Sequence, residues 1–281
     1  EEAFIELTIQ SVVRQTIRPE RWVIVSDGST DRTDEIVGKY AAQHAWIELL
    51  RMPERRERHF GGKVGCFNAG YDRIKHQPHE AICSLDADIT FDEDYFEFLL
   101  GRLKADPRLG LIGTPFTENG KAYDFRFASV EHVSGACQLF RRECYEAIGG
   151  YVPVKGGGID VIAVLSSRMK GWSTRTFTEK TCEHHRPMGT GNEDTAFMVN
   201  FRLGQRQYRL GFHPLWQMLR SVFQMARKPY IIAGFALFLG YFWAMARRTE
   251  RPIGPELVAF QRRDQMRRLR KMLGLGGSAA T

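Results

Sequence analysis

The stretch Ser84-Leu85-Asp86-Ala87-Asp88-Ile89 constrains the fold more than any other part of the sequence. The apolar run Ala81-Ile82-Cys83 leads into it and polar chain flanks both, the pattern of a short buried strand. Residues i and i+2 of a strand point to one side, so Asp86 and Asp88 would present two carboxylates together at a strand end. Such a pair is costly away from water unless a cation lies between them. A divalent cation with oxygen ligands, of the kind that carries substrate phosphates, meets that need. Asp-x-Asp alone is common and more often marks a solvated acidic turn, so the surrounding chain has to decide.

Upstream, the apolar spacing from Phe4 to Gln15 predicts an amphipathic helix ended by Arg18-Pro19-Glu20. Trp22-Val23-Ile24-Val25 reads as a buried strand and runs into Ser26-Asp27-Gly28-Ser29-Thr30-Asp31, a tight turn rich in Asp, Gly and Ser. Thr33 to Gln43 has helical spacing after capping-type residues, and Ile47 to Leu50 reads as a strand. Strand, turn, helix, strand is the signature of a parallel sheet with helices on its faces. Ligands of such sheets bind at the carboxyl ends of the strands. Asp27 and the Asp86/Asp88 pair both fall at such ends. Between them, Arg51 to Phe67 is basic and Gly-rich, with Gly61-Gly62-Lys63-Val64-Gly65 reading as a loop that lets backbone approach a ligand. Lys63 offers a positive charge suited to phosphate, and Gly65 to Lys75 reads as a helix carrying Asn68.

The charge is unevenly spread. From 201 to 281, 15 Lys and Arg stand against 3 Asp and Glu, while the first 200 residues are slightly acidic within an overall +7. A basic C-terminal third on an acidic body suggests an anionic surface as partner. The five cysteines form no CxxC pair and an odd set, which suits a reducing compartment. Cys182-x-His184-His185 lacks a second pair of ligands at zinc spacing. The chain opens at Glu1-Glu2 with neither an initiator Met nor a signal peptide, and the expectation is that residues precede it.

VSDGSTDRT, then GGKVGCFNAG, then LDADITFDEDYF, in this order and spacing, resembles the family 2 glycosyltransferases, of the bacterial surface-polysaccharide type. The resemblance covers roughly residues 1 to 215. It implies an α/β protein with the A-type glycosyltransferase fold, a Rossmann-like, mostly parallel sheet that binds a nucleotide-sugar. The family's first strand ends in a segment like Asn-Glu-Glu, so Glu1-Glu2 resembles its end and the strand itself is expected to be missing. Val133 to Glu143 and the turn Ile148-Gly149-Gly150-Tyr151 are similar to the strand, helix start and turn that follow in the family. By the resemblance, Asp27 and Gly28 bind the nucleotide, Lys63 and Asn68 line its pocket, and Arg186 faces its phosphates. Asp86, Asp88 and His185 hold Mn²⁺ or Mg²⁺, with Asp86 also on the donor side. The family's acidic pair at the acceptor corresponds to Ile159-Asp160, which leaves Asp160 as the general base. Read without the family, Asp160 is better explained as a simple helix N-cap after a glycine loop; with the family pattern, the base is the preferred reading. The implied reaction is inverting, metal-dependent sugar transfer from a nucleotide-sugar to a glycan or lipid-linked hydroxyl. Processive relatives carry Gln-x-x-Arg-Trp after several membrane spans; no such motif is found here, so single additions are expected. A sugar nucleotidyltransferase and a silent nucleotide- or glycan-binding subunit are the alternatives. No GxGxxG follows a strand, which disfavours a nicotinamide-binding domain.

The expected division is a catalytic domain over 1–215 and a membrane-associating helical region, apolar and basic, over 216–281. Tyr230 to Ala246 carries no charge and is flanked by Arg227-Lys228 and Arg247-Arg248. It could span the bilayer, lie in the interface, or pack internally as a hairpin. Arg262-Arg263 to Arg270-Lys271 reads as a basic amphipathic helix suited to anionic lipid, and no nucleic-acid module is present. These features place the expected enzyme on the cytoplasmic face of a bacterial inner membrane. Pro187 to Asp194 is expected to be a mobile loop near the acceptor.

Overall fold

In the computed structural model, which describes residues 1–54, 60–118, 121–122, 129–154, 156–186 and 195–274, the chain falls into two units, Glu1–Met188 and Gly189–Thr281. The break comes earlier than the expected 215/216 boundary, so the helix ending at Arg209 belongs to the second unit. The expected loop at 187–194 lies outside the described residues.

The first unit begins with α1 (Ile5–Val13), which buries Ile5, Ile9 and Val12. β1 (Trp22–Ser26), α2 (Thr33–Gln43) and β2 (Ile47–Arg51) follow, and the two strands pair in parallel with Trp22 opposite Ile47. Ile5, Ile9, Ile24, Val37 and Ile47 close a small apolar core among these elements. α3 (Phe60–Ile74) packs on β1 where Gly70 leaves room; a Cβ there would stand 3.1 Å from Val25. Gly61 to Gly65 therefore form the first turns of a helix, where a loop was expected. Packing of α3 on β1 outweighs the weak helix propensity of these glycines.

A second sheet runs in the order β3 (Ala81–Leu85), β8 (Cys137–Arg141), β5 (Leu109–Gly113), β9 (Ser173–Thr176). β8 is antiparallel to both its neighbours, and β5 is parallel to β9. The pairing is mixed where a mostly parallel sheet was expected; the α/β class is as expected. β5 is buried along its whole length, as a strand covered on both faces must be. A third, smaller sheet joins β4 (Ile89–Thr90), β10 (Cys182–His184), β6 (Phe116–Glu118) and β7 (Lys121–Ala122). α4 (Tyr95–Ala105) lays Tyr95, Phe96, Leu99 and Leu103 on the main core with Ile89, Ile112 and Phe116. α5 (Arg142–Ile148) ends on Gly149 and Gly150, both at positive φ, which only glycine takes readily. α6 (Ile159–Met169) leads to β9.

The second unit is helical: α7 (Ala196–Arg209), α8 (Pro214–Met225), α9 (Ile232–Ala246) and α10 (Pro255–Met272). α7 and α9 cross at glycines. A Cβ on Gly240 would lie 2.0 Å from the Phe201 carbonyl oxygen, and one on Gly204 would lie 2.2 Å from that of Leu237. Among the described residues no helix is long and apolar enough to cross a membrane. α9 has 15 residues, about 22 Å of helix against a hydrocarbon core of about 30 Å.

Candidate functional site

The Asp86-Ala87-Asp88 turn closes β3, and its geometry follows from what each residue buries. Ala87 packs into the small core of α1, β1 and α2, while Ile89 enters the main core. The turn is thus pinned on both sides, and its two carboxylates are left at the strand end. The Asp86 N–H donates to the Ala136 carbonyl at 2.9 Å, which fixes the turn against the segment before β8. Asp88 is buried; Asp86 is half-buried.

Lys63 reaches this point from α3. Its ammonium donates to Asp86 Oδ1 and, at 3.3 Å, to the Gly135 carbonyl. Gly135 also borders Asp160: a Cβ on it would lie 3.3 Å from the Asp160 Cβ. One short stretch, Gly135-Ala136, therefore gathers Asp86, Lys63 and Asp160, a role the sequence reading did not give it. Its signal was thin: Gly135 stands between two further small residues, Ser134 and Ala136, ahead of β8.

Asp160 is the second residue of α6, whose N-cap is Gly158 at φ +94, with no side chain capping the helix. Asp160 is thus not the N-cap, and it lies in the first turn of α6. Ile159, at the position of the missing acid, is buried in the core.

The electrostatics are those of crowded carboxylates. Burial works against the Lys63 ammonium, yet Asp86, Asp160 and Asp88 outweigh it and hold its pKa above the ordinary lysine value. Burial, then the charge of Asp86, pushes the Asp88 carboxyl above the usual range, with Glu1 acting in the same sense and His184 and Arg186 opposing. His184 Nε2 lies 3.6 Å from Asp88 Oδ1, and its Nδ1 lies 3.0 Å from Glu118 Oε1. His185, expected from the sequence as the third metal ligand, turns its ring to Thr90 Oγ1 at 2.9 Å and stacks on Phe4; only its backbone N–H meets Asp88. Arg186 pairs with Glu1, and its Nε is 3.7 Å from Asp88 Oδ2.

Asp27 and Gly28 stand at the carboxyl end of β1. Gly28 has φ +64, and its Cα faces the backbone of Glu54 so closely that a Cβ would come within 2.6 Å. Asn68 is exposed on α3. Among the described residues no group of three or more His, Cys, Asp or Glu side chains is gathered to hold a metal ion, so Asp86, Asp88 and His185 do not form a three-ligand set. The donor set nonetheless suits a hard divalent cation. Two carboxylates, one of them desolvated and pressed by its neighbour, favour a cation that completes its shell with diphosphate and water oxygens.

The glycosyl transferase family 2 description matches residues 1–154. The poly-beta-1,6-N-acetyl-D-glucosamine synthase of Staphylococcus aureus (strain COL) is 27% identical over 213 residues, covering 75% of this chain and 45% of that protein. The synthase of the same name from Staphylococcus epidermidis is 26% identical over 162 residues, 50% of this chain and 37% of that one. The chain thus spans less than half the length of these relatives. Among solved structures, a mannosyltransferase, PcManGT from Pyrobaculum calidifontis, in complex with GDP-Man and Mn²⁺, superposes with a TM-score of 0.56 at 20% identity, over 99% of this chain and 78% of that one. TarS of S. aureus gives 0.54 at 12% identity, over 86% and 41%. At these identities the likeness concerns the fold, that of the A-type glycosyltransferases.

Proposed function

The chain belongs to glycosyl transferase family 2, and from that premise we propose that it moves a sugar from a nucleotide-sugar to a hydroxyl of a glycan or lipid-linked acceptor, with inversion. The observation that carries this reading is the convergence of Asp86, Lys63 and Asp160 on Gly135-Ala136 at the end of β3. Asp160 takes the proton from the acceptor hydroxyl as it attacks the anomeric carbon, a step worth about 10²–10⁴-fold. Attack from the face opposite the departing nucleotide inverts the centre. Lys63 neutralises charge beside Asp86, and Arg186 faces the diphosphate next to Asp88. Asp27 and Gly28 hold the nucleotide at the end of β1, with Asn68 at the rim. Asp86 and Asp88 would hold Mn²⁺ or Mg²⁺, and the 3.6 Å approach of His184 Nε2 to Asp88 Oδ1 supports His184 rather than His185 as the imidazole beside the pair. The cation, when bound, stabilises the leaving nucleoside diphosphate.

The second unit supports association with an anionic membrane surface. α8 turns its apolar stripe outward: Leu215, Met218, Leu219, Val222 and Phe223 are exposed while Gln217 and Ser221 are buried. α9 buries Ala233, Gly234, Ala236, Leu237, Gly240, Tyr241 and Ala244 and exposes Phe235 and Trp243. On α8 the polar side chains face inward and the large apolar ones outward, the arrangement of a helix that meets lipid. Arg227 over the Phe223 ring and Arg247 over Trp243 place cations beside exposed aromatics, as at a headgroup layer. With five free thiols, this favours the cytoplasmic face of the membrane.

A panel of nucleotide-sugars on the full-length protein, followed by nucleoside diphosphate release with Mn²⁺ and with chelator, tests the reaction. Metal-dependent release from one donor supports the reading, and product length on a supplied acceptor decides whether additions are single. No release from any donor leaves a binding subunit.

A further inference from the structure

The second unit holds a cavity of about 610 Å³ that sugar transfer does not use. Tyr208, Arg248, Thr249, Glu250, Arg251 and Arg262 supply its polar lining. Three guanidiniums against one carboxylate leave a positive surplus. α10 starts at the same wall with Pro255, and its N-cap Gly254 brings no side chain to the first N–H groups. The amino end of this helix adds positive potential, partly offset by Glu256 in its first turn.

Two of the arginines carry marks of their own. Arg248 closes α9: its N–H donates to the Met245 carbonyl at 3.0 Å and that of Thr249 to the Ala244 carbonyl at 3.0 Å. This is the Schellman closure, in which the residue with positive φ is usually glycine. Here it is arginine, at φ +49. A side chain kept at a position that costs backbone strain points to a use for that side chain. Arg262 has its Nε enclosed, with no hydrogen-bond acceptor among the described residues. A buried donor without an acceptor is costly, and Arg262 keeps its guanidinium at the cavity wall despite that cost. Arg251 is fixed in place, its Nε donating to the Tyr208 carbonyl at 3.3 Å and its guanidinium 4.4 Å above the Tyr208 ring.

We propose that this cavity binds a phosphomonoester or diphosphate group carried on a larger body. Several guanidiniums around one space suit an oxyanion of more than one negative charge, which a carboxylate or phosphodiester does not provide. The space is open on one side, which leaves room for the body that carries the group. A lipid-borne phosphate and a soluble diphosphate share this chemistry. The proposal stands apart from the transfer reaction and does not depend on it.

The test is calorimetric titration of the full chain with inorganic pyrophosphate in chelator, which silences metal-dependent diphosphate binding in the first unit. Wild type binds, and Arg248→Gly and Arg262→Gln each weaken binding about tenfold or more, the loss of one charge-assisted contact. Arg248→Gly melts at the same or a higher temperature, because glycine relieves the strained position. Sedimentation with phosphatidylcholine vesicles, with and without phosphatidic acid, separates the sources. Extra binding to phosphatidic acid that Arg248→Gly loses assigns a lipid-borne phosphate; pyrophosphate binding without it assigns a soluble one. Failure of wild type to bind either probe overturns the proposal. So does wild-type pyrophosphate affinity in both variants, or a lower melting temperature for Arg248→Gly, which would make Arg248 part of the fold.

Discussion

Replacing Asp160 by Asn separates its two readings by their magnitudes. The residue is in the first turn of α6 and caps nothing, so its structural contribution is its charge in the helix dipole. That is worth about 0.3–1 kcal/mol. The role of general base is worth about 10²–10⁴-fold in rate, or about 2.7–5.4 kcal/mol of barrier. Lys63 keeps its partner in Asp86, its largest charge stabilisation, so the donor side stays assembled. The expected outcome is a turnover at least a hundredfold lower, a donor KM within a factor of a few, and a melting temperature within about 2–4 °C of wild type, the shift that about 1 kcal/mol makes in a unit of this size. Steady-state kinetics with the donor found by the panel, beside a thermal melt, gives all three. A turnover within tenfold of wild type, or a melting temperature that falls further while KM rises with it, refutes the assignment of Asp160 as base.

Asp88→Asn should abolish metal-dependent release while leaving the protein folded. The Asp88 carboxyl is raised in the folded state, so its contribution to stability is full at low pH and lost as pH rises above the ordinary carboxylate value. The variant should therefore flatten that part of the stability–pH curve and melt no lower than wild type at neutral pH without metal. Added Mn²⁺ should raise the wild-type melting temperature and leave the variant's unchanged. Gly240→Ala should cost about 1–3 kcal/mol or more in denaturant unfolding, because the new methyl meets backbone that cannot yield; Gly101→Ala, on open helix surface, should be neutral or stabilising. Leu219→Asp with Val222→Asp should abolish sedimentation with anionic vesicles at unchanged helix content, and retained binding would exclude α8 as the lipid contact.

Local patterning made much of this molecule readable. Thr33 to Gln43 is a helix with the bounds its spacing predicts, and β1, β2 and β3 fall where their apolar runs lie. Asp27 and Asp86 stand at strand ends for the same reason. What failed was whatever depended on partners distant in sequence. β8 runs antiparallel between β3 and β5, and nothing in Cys137 to Arg141 states a direction. Gly61 to Gly65 contain four weak helix formers, yet packing of α3 on β1 overrides propensity. The choice between neighbouring histidines was legible in principle. In β10 Cys182 is buried and Glu183 exposed, so period two sends His184, not His185, to the inner side. The stripe at 215, 218, 219, 222 and 223 was also visible as helical spacing, but spacing cannot say whether an apolar face looks inward or outward.

The turn that carries Asp86 and Asp88 has Ala87 held by one hydrophobic core and Ile89 by the other. Its carboxylates thus act as a gauge of how the two cores sit against each other. Loosening either one alters the separation and the field of the pair long before the chain unfolds. Activity should therefore fade on heating below the global melting temperature, and faster in variants such as Val37→Ala, whose buried side chain lies in the smaller core and touches no part of the site's chemistry. On the proposed reading, the tuning of the chemistry is distributed into the hydrophobic interior, and stability and catalysis are to that extent one property.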